Sequence, residues 1–399
     1  MPTLTNWKSC CGCAACANKC SNNAINMRPN FEGFLHPVID SAKCIECRAC
    51  EKVCPGLEVA NNISTELKIF VVQHKDSKIR YQSTSGGGFT AIAEEIIRRD
   101  GVVFGATMTK DFSIKHDYVS DIEGLAKFRN SKYVQSEIDK QLYATIKDFL
   151  RTKKYVCFSG TPCQVNGLYK YLGKDYENLI TVDVVCKSVP SPLIFEKYIE
   201  YKKGKEGNFS DVVFRDKKRG FLYCTMAHYL SHEDRLLAKS IYRKGSESDE
   251  WLRLFLSGKI SRHSCMTCPY QTIHRVSDFT LGDIWETGNP KLDDNKGTTL
   301  LHVWTSKGKR FLKNIRSNVR IESFPIEMSR SVERNNTLKI FSDRDKLFED
   351  AHNMPADAFF SKYTPYTIKI GTKQICRYII WKLHLHNFVR NIKHKNIHR

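Results

Sequence analysis

The 399-residue chain contains no apolar run of about 18 residues, so no segment of it reads as a membrane-crossing helix. Its opening, MPTLTNWKSCCGC, has no apolar core of the kind a secretory signal needs, and a reducing, cytoplasmic setting is expected. No RRM, KH or helix-turn-helix pattern occurs, so no nucleic-acid partner is expected despite a formal charge of +20. That charge favours an acidic redox partner, an anionic substrate or a membrane surface instead. What the chain has in quantity is cysteine, 16 in all. Without a secretory signal, these thiols read as metal ligands rather than disulfides. An apolar content of 41% supports globular cores, and the length implies two or three domains.

Eight of the cysteines form an internal repeat. Cys10, Cys13, Cys16 and Cys20 are followed, 34 residues later at every position, by Cys44, Cys47, Cys50 and Cys54. Each half reads C-x2-C-x2-C-x3-C, and the second closes with Pro55. A four-iron cubane takes four thiolates; a tight C-x2-C-x2-C loop supplies three, and the fourth cysteine of each half reaches the other cluster. The expected sets are therefore Cys10, Cys13, Cys16 and Cys54, and Cys44, Cys47, Cys50 and Cys20. Paired structural zinc knuckles are the alternative, but they need neither a third nor a fourth cysteine at these offsets. Each oxidised cluster with its thiolates carries about −2, so three clusters would bring the balance to about +14. The stretch resembles a bacterial two-cluster ferredoxin domain, with NAINM and EGFLHPVID as two short strands around Gly33. It departs from that pattern at Ser21, where a ferredoxin has Pro. Cys11 lies outside the spacing and is expected to be a bystander.

Downstream, residues 56–66 read as a polar linker and LKIFVVQHK as a strand. Ser85, Gly86, Gly87 and Gly88 then open a helix whose stripe is Phe89, Ile92, Ala93, Ile96 and Ile97. Amides at that helix start suit an anion such as a cofactor phosphate; an ordinary glycine turn is the alternative. A strand, GVVFGATM, and a helix over 138–150 follow. KYVCFSG is a buried strand, after which Thr161 reads as an N-cap and Pro162 as the first helical residue. NLITVDVVC is the next strand. Cys163 and Cys186 are thus expected at the carboxyl ends of neighbouring parallel strands, where α/β sheets place their sites. SDVVFRDKKRGF reads as strand, basic turn, strand, and HSCMTCPY supplies Cys265 and Cys268. Asp278 and Asp283 flank a strand in RVSDFTLGDIW and are expected to fix turns. From about 311 the chain reads as helical or irregular.

The motifs STSGGGFTAIAEEII, NSKYVQS, FSGTPCQVNGL, DVVCKSVPSP, FRDKKRGF, CMTCPY and SDFTLGDIW fall in order. With the cysteine repeat, they resemble the beta-subunit family of coenzyme F420 hydrogenases and dehydrogenases over roughly residues 10 to 290. A departure is Lys187-Ser188, where the family commonly has His-Gly. The resemblance implies a flavin- and iron–sulfur-dependent oxidoreductase passing electrons between clusters and a flavin, with an unidentified small-molecule substrate. It resembles the bacterial members associated with surface-polysaccharide synthesis. It also implies a third four-iron cluster on Cys163, Cys186, Cys265 and Cys268, and FAD held by Ser85, Gly86, Gly87, Gly88, Lys132, Thr161 and Gln164. Buried apolar roles for Cys163 and Cys186, and a solvated Lys132, are the plain alternatives.

The expected architecture is α+β joined to α/β: a small ferredoxin-like domain, a larger α/β domain with a mixed sheet, and a C-terminal helical tail. The expected boundaries are 1–60 for the two-cluster domain, 66–145 and 146–310 for the two family-like regions, and 311–399 for a helical extension. From Lys369 to Arg399 there are eight Lys or Arg and no acid. Ile375, Tyr378, Ile379, Phe388, Val389 and Ile392 can share one face, with Trp381 near the middle. Such a helix suits peripheral contact with the inner face of a membrane, or docking on the protein's own core. The expected partners are a ferredoxin-like redox protein and a small-molecule substrate. An electron-transfer subunit of a larger hydrogenase or dehydrogenase is the second reading. A basic membrane- or nucleic-acid-binding protein with structural clusters is the third.

Overall fold

The computed structural model describes residues 1–58, 67–230, 240–242, 249–272, 275–326, 341–383 and 385. The first segment holds α1 (Ala15–Lys19), β1 (Ile25–Pro29), β2 (Leu35–Ile39) and α2 (Ala49–Lys52). The two strands form an antiparallel hairpin with Ile25 opposite Ile39. Gly33 turns the hairpin at φ 81°, in the left-handed region that glycine enters without steric cost.

The second segment supplies β3 (Lys68–His74), α3 (Ser77–Gln82), α4 (Gly88–Arg98), β4 (Val102–Met108), β5 (Ile114–Val119), α5 (Leu142–Arg151), β6 (Val156–Ser159), α6 (Pro162–Leu172), β7 (Leu179–Val184) and α7 (Pro192–Glu206). Next come β8 (Asp211–Asp216), β9 (Thr225–Tyr229), β10 (Ser240–Tyr242), α8 (Glu250–Ser257), β11 (Phe279–Ile284), β12 (Thr298–Val303), α9 (Ser306–Leu312) and β13 (Val319–Ser323). The chain closes on α10 (Arg344–Asn353), α11 (Ala356–Tyr363) and α12 (Ile368–Lys382).

Eight strands form one mixed sheet in the order β13-β3-β12-β11-β7-β6-β4-β5. The centre is parallel, β11 to β7, β7 to β6 and β6 to β4, while β12, β13 and β5 run the other way. Central strands covered on both faces need continuous apolar runs, and β6 and β7 have them: Val156, Phe158, Ile180 and Val182 are buried. On α4, Ile92, Ala93 and Ile96 are fully buried against this sheet, as the stripe requires. Thr161 and Gln164 form a capping box at the start of α6, with Pro162 at its first position and Gly173 ending it at φ 70°. A second, antiparallel sheet, β10-β9-β8, belongs to an aromatic core with α7, α8 and α11, in which Phe195, Tyr198, Trp251 and Phe360 meet.

Residues 66–145 and 146–310 both contribute strands to the large sheet. The expectation of a helical or irregular extension after 311 is corrected at β13, which pairs along β3 from Val319↔His74 to Ser323↔Phe70. It is a short edge strand with only Val319 buried, so its alternation is too weak to read. In α12 no residue is buried, and Arg219 of the body lies over its Tyr378 and Trp381 rings. Phe388, Val389 and Ile392 lie outside the described residues. No helix among the described residues is long and apolar enough to cross a membrane.

The small domain is docked firmly on the large one. Arg344 makes a bidentate, buried ion pair with Glu32 at 2.6 and 2.7 Å. Asn18 donates to the Asp139 carbonyl at 3.1 Å and accepts from the Tyr143 amide at 2.9 Å.

Candidate metal centre

The two cysteine loops are built alike. Gly12 and Glu46 sit at φ 70° and 54°, and Ala14 and Arg48 at φ 57° and 56°, so the repeat of 34 residues holds in the backbone as well as in the cysteines. Left-handed backbone is uncommon at Glu, Ala and Arg.

Each loop borders a cavity. The first is lined by Cys10, Cys13, Cys16 and Cys54, with Leu4, Met27 and Pro37 among its walls. The second is lined by Cys44, Cys47, Cys50 and Cys20, with Ile25, Ile39 and Ile45. Each therefore gathers three cysteines of one half and the last cysteine of the other. Among the described residues, no three His, Cys, Asp or Glu side chains converge closely enough to hold a single metal ion. The cysteines instead line the two cavities, four to each. Burial pushes the Cys16 thiol well up, and the neighbouring Cys10 and Cys54 push the same way. Burial likewise raises Cys10 and Cys50. Several thiolates can share such a site only with a bound cation among them, so the donor set and the cavity fit a thiolate-ligated metal cluster.

A second group of cysteines forms on the large domain. Cys163 lies in the first turn of α6, after β6, with its sulfur 3.1 Å from the Thr161 hydroxyl. Cys186 lies two residues beyond β7. Cys265 belongs to a 3-10 turn over His263–Thr267, with Cys268 just after it. Burial raises Cys186 well above the ordinary thiol range, and Cys265, Cys163 and Cys268 add to it. Cys265 is pushed up to about 12 and Cys268 to about 11, each by burial first and with Cys163 among its neighbours. The four thiols lie within one another's electrostatic reach, at the carboxyl ends of the adjacent parallel strands β6 and β7.

The first loop and this second group touch. The Cys11 thiol lies beside both Cys13 and Cys163. Gly167 on α6 is needed here: a Cβ at that position would stand 2.9 Å from both Cβ and Sγ of Cys13. The Tyr143 hydroxyl donates to the Cys13 carbonyl at 3.0 Å and the Gln164 carbonyl at 3.2 Å. Arg262 reaches across from the large domain to the Cys10 carbonyl at 2.6 Å. Spacing gives no hint of Tyr143, Gly167 or Arg262; Cys11 is visible in the sequence only as the neighbour of Cys10.

The residues expected to hold a flavin are placed differently. Gly86 lets the loop press onto the sheet, since a Cβ there would lie 2.1 Å from the Val72 carbonyl oxygen. The Gly86 and Gly88 amides donate to the Thr299 hydroxyl at 3.0 and 3.3 Å, which also pairs with the Ser85 hydroxyl at 3.0 Å. Gly87 is the left-handed cap of α4 at φ 85°. The Lys132 ammonium donates to the carbonyls of Lys127, Arg129 and Asn130. Thr161 and Gln164 cap α6, and Gln164 also donates to the Ser136 hydroxyl at 3.0 Å. Each of these seven residues is engaged within the fold in this way. At the same sheet edge, Arg215 lies over the Phe221 and Trp285 rings and pairs with Asp283 at 2.8 Å, while its Nη2 has no hydrogen-bond partner. Lys217, in the expected basic turn, is buried, and burial lowers it to about 7. Asp278 is buried and accepts from the Thr181 amide and the Thr305 hydroxyl, fixing the start of β11.

Comparison with known proteins agrees with this division. Residues 9–56 match the 4Fe-4S dicluster domain, and residues 153–329 match the C terminus of the coenzyme F420 hydrogenase/dehydrogenase beta subunit. An uncharacterised polyferredoxin-like protein of Methanocaldococcus jannaschii is 38% identical over 63 residues, which cover 14% of this chain and 38% of that relative's length. A chain in a structure of the F420-reducing NiFe hydrogenase complex of Methanosarcina barkeri aligns at a TM-score of 0.43 and 16% identity, covering 76% of this chain and 94% of that one. The chain thus carries, in order, a segment similar to a 4Fe-4S dicluster domain and a segment similar to the C terminus of the coenzyme F420 hydrogenase/dehydrogenase beta subunit.

Proposed function

We propose that the chain is an iron–sulfur oxidoreductase with three thiolate cradles. Cys10, Cys13, Cys16 and Cys54 hold one four-iron cluster, Cys44, Cys47, Cys50 and Cys20 a second, and Cys163, Cys186, Cys265 and Cys268 a third. The observation that carries this reading is the crossing of the repeat, in which each cavity is closed by the last cysteine of the opposite half. Clusters of this kind supply one-electron transfer at potentials set by hydrogen bonds, charge and burial.

The protein's own residues do the rest. The Gly12 amide donates to the Cys10 sulfur at 3.4 Å, and Leu4, Met27 and Pro37 supply apolar wall to the first cavity. Cys11 and Gly167 hold the first loop against α6 and the Cys163 group. The second cavity faces outward, with Cys47 and Ile45 exposed, and is the surface proposed for docking a ferredoxin-like redox protein. The positive balance of the chain favours an acidic partner there.

FAD, a small-molecule substrate and a role in surface-polysaccharide synthesis are supported by the family resemblance alone. The seven residues expected to hold FAD are engaged in the fold; Arg215, with its unpartnered Nη2 beside Trp285, is the better candidate contact. Service as one part of a larger complex is favoured by the exposed outer face, and stable co-purification with a large catalytic partner would establish it. Peripheral membrane contact is supported by the basic C-terminus and by α12, which buries no residue. Equal sedimentation with anionic liposomes, with and without residues 372–399, would exclude it.

Anaerobic iron, sulfide and flavin quantitation tests the main reading. The proposal predicts about twelve irons and matching sulfide per chain, falling by about four when Cys163, Cys186, Cys265 and Cys268 are replaced together by Ala. Zinc, or iron without sulfide, would overturn it.

A further inference from the structure

Arg262 is the cation at the joint between the first cysteine cradle and the Cys163 group. It comes from the segment after α8 and is only 1% exposed. Its Nε donates to the Cys10 carbonyl at 2.6 Å and its Nη2 to the Leu35 carbonyl at 2.9 Å, which pins a large-domain side chain to the ferredoxin domain. The Phe34 ring lies 5.3 Å from the guanidinium. His36 beside it stays neutral, because burial, and then the charge of Arg262, lowers that ring to about 3. Nη1 has no hydrogen-bond partner, and among the described residues no carboxylate pairs with the group.

A guanidinium does not lose its proton in a protein, and a buried charge with no counter-charge is strongly unfavourable. The anionic groups that can answer it are sulfur. The side chain is bonded to the Cys10 carbonyl on one side, and on the other the Arg262 carbonyl accepts from the Cys265 amide at 3.0 Å, so the residue stands between the two cysteine groups. Gln135 completes the joint. Its Oε1 accepts from the Leu35 amide at 3.0 Å, and its Nε2, like Nη1 of Arg262, is a buried donor without a partner. Both donors press on Gly12, where a Cβ would stand 2.6 Å from Nε2 and 2.8 Å from Nη1. A glycine there leaves the loop thin enough for one cation to serve both sides.

We infer that Arg262 is a shared counter-cation, a positioning residue that raises the reduction potentials of the Cys10/Cys13/Cys16/Cys54 and Cys163/Cys186/Cys265/Cys268 sites relative to the outer site. The inference rests on the reading that these cysteines hold clusters. Reduction adds negative charge, and a fixed positive charge in a poorly screened interior stabilises the reduced form.

The test is an EPR-monitored redox titration of the full-length protein, purified anaerobically, as wild type, R262Q, R262K and Q135E. The outer site is assigned as the signal absent from C47S. Iron and sulfide are counted first, and a wild type without them means that the cluster reading has failed, whatever Arg262 does. With the irons present, R262Q is expected to move two potentials negative by at least a tenfold change in the reduction equilibrium, 59 mV for one electron, and to leave the outer one unmoved. R262K, which keeps the charge, should recover most of that shift. Full iron with all potentials unmoved, or equal shifts in R262Q and R262K, overturns the inference. Should R262Q fail to fold, Q135E keeps the bonds of Arg262 and sets a carboxylate beside it. The same two potentials should then fall, and unmoved potentials in Q135E overturn the inference equally.

Discussion

The loops at 10–16 and 44–50 share a spacing and a backbone but not a neighbourhood. Both turn through left-handed residues at matching positions, and both border a cavity closed by a cysteine of the other half. The first is enclosed by the large domain: α6 presses on Cys13, Tyr143 bonds its carbonyl, and Arg262 and Gln135 fill the space behind Gly12. The second has Cys47 and Ile45 at the surface. The repeat determines what each loop can hold, and the packing around it determines how far that site is insulated and from which side it is reached. A pair of sites that are alike by sequence thus becomes an inner and an outer one.

The comparison is broken most severely by undocking the small domain. Glu32 and Arg344 are both buried, so Arg344→Met leaves a carboxylate without its partner and is expected to cost about 3–5 kcal/mol, read as a fall in the denaturant midpoint. Replacing both partners, Glu32→Gln with Arg344→Met, should cost clearly less than the single change. An equal or larger loss would mean that shape rather than charge holds the joint. Gly167→Val is the next largest: its side chain meets Cys13 and should cost about 1–3 kcal/mol by overpacking. It should also release iron from the inner site while sparing the outer one, and equal loss from both would contradict the assigned contact. Thr161→Ala removes the capping box that presents Cys163 and should cost about 1 kcal/mol in thermal or chemical unfolding.

The mildest lever is pH. Burial lowers His36 to about 3 and His116 and His302 to about 4, against an ordinary value near 6.5. Unfolded, each takes up a proton below about pH 6.5; folded, each resists until the lower value. The unfolded chain therefore binds more protons within that window, and stability falls as pH drops from about 6.5 toward 4. His36→Gln should flatten that slope, since His36 faces Arg262 at the domain joint; an unchanged slope would remove His36 from the account.

Much of this is legible in the sequence. The cysteine offsets prescribe crossed sets, and the cavities gather those same residues, because the spacing constrains the loop locally. The parallel placement of β6 and β7 follows from two apolar runs around a helix that carries its own cap. What cannot be read depends on distant packing. Val319–Ser323 is an edge strand whose single buried residue leaves almost no pattern. The glycines at 86–88 look like a phosphate loop, yet Gly86 is there because the sheet lies against it. Lys217 stands in a run of charges whose pattern says nothing of burial, and it turns inward to the carbonyls of Arg80, Ser85 and Lys296. Arg262 is one arginine among many in sequence, and only its burial against Cys10 distinguishes it.

Iron release to a strong chelator under native conditions tests the inequality of the two halves most directly. The account predicts two phases: a fast loss of about one third of the iron from the outer set, and a slow loss of the remainder. Cys47→Ser should abolish the fast phase and leave the slow one. A single phase in the wild type, or a fast phase that survives in C47S, would contradict the division into an exposed and an enclosed site.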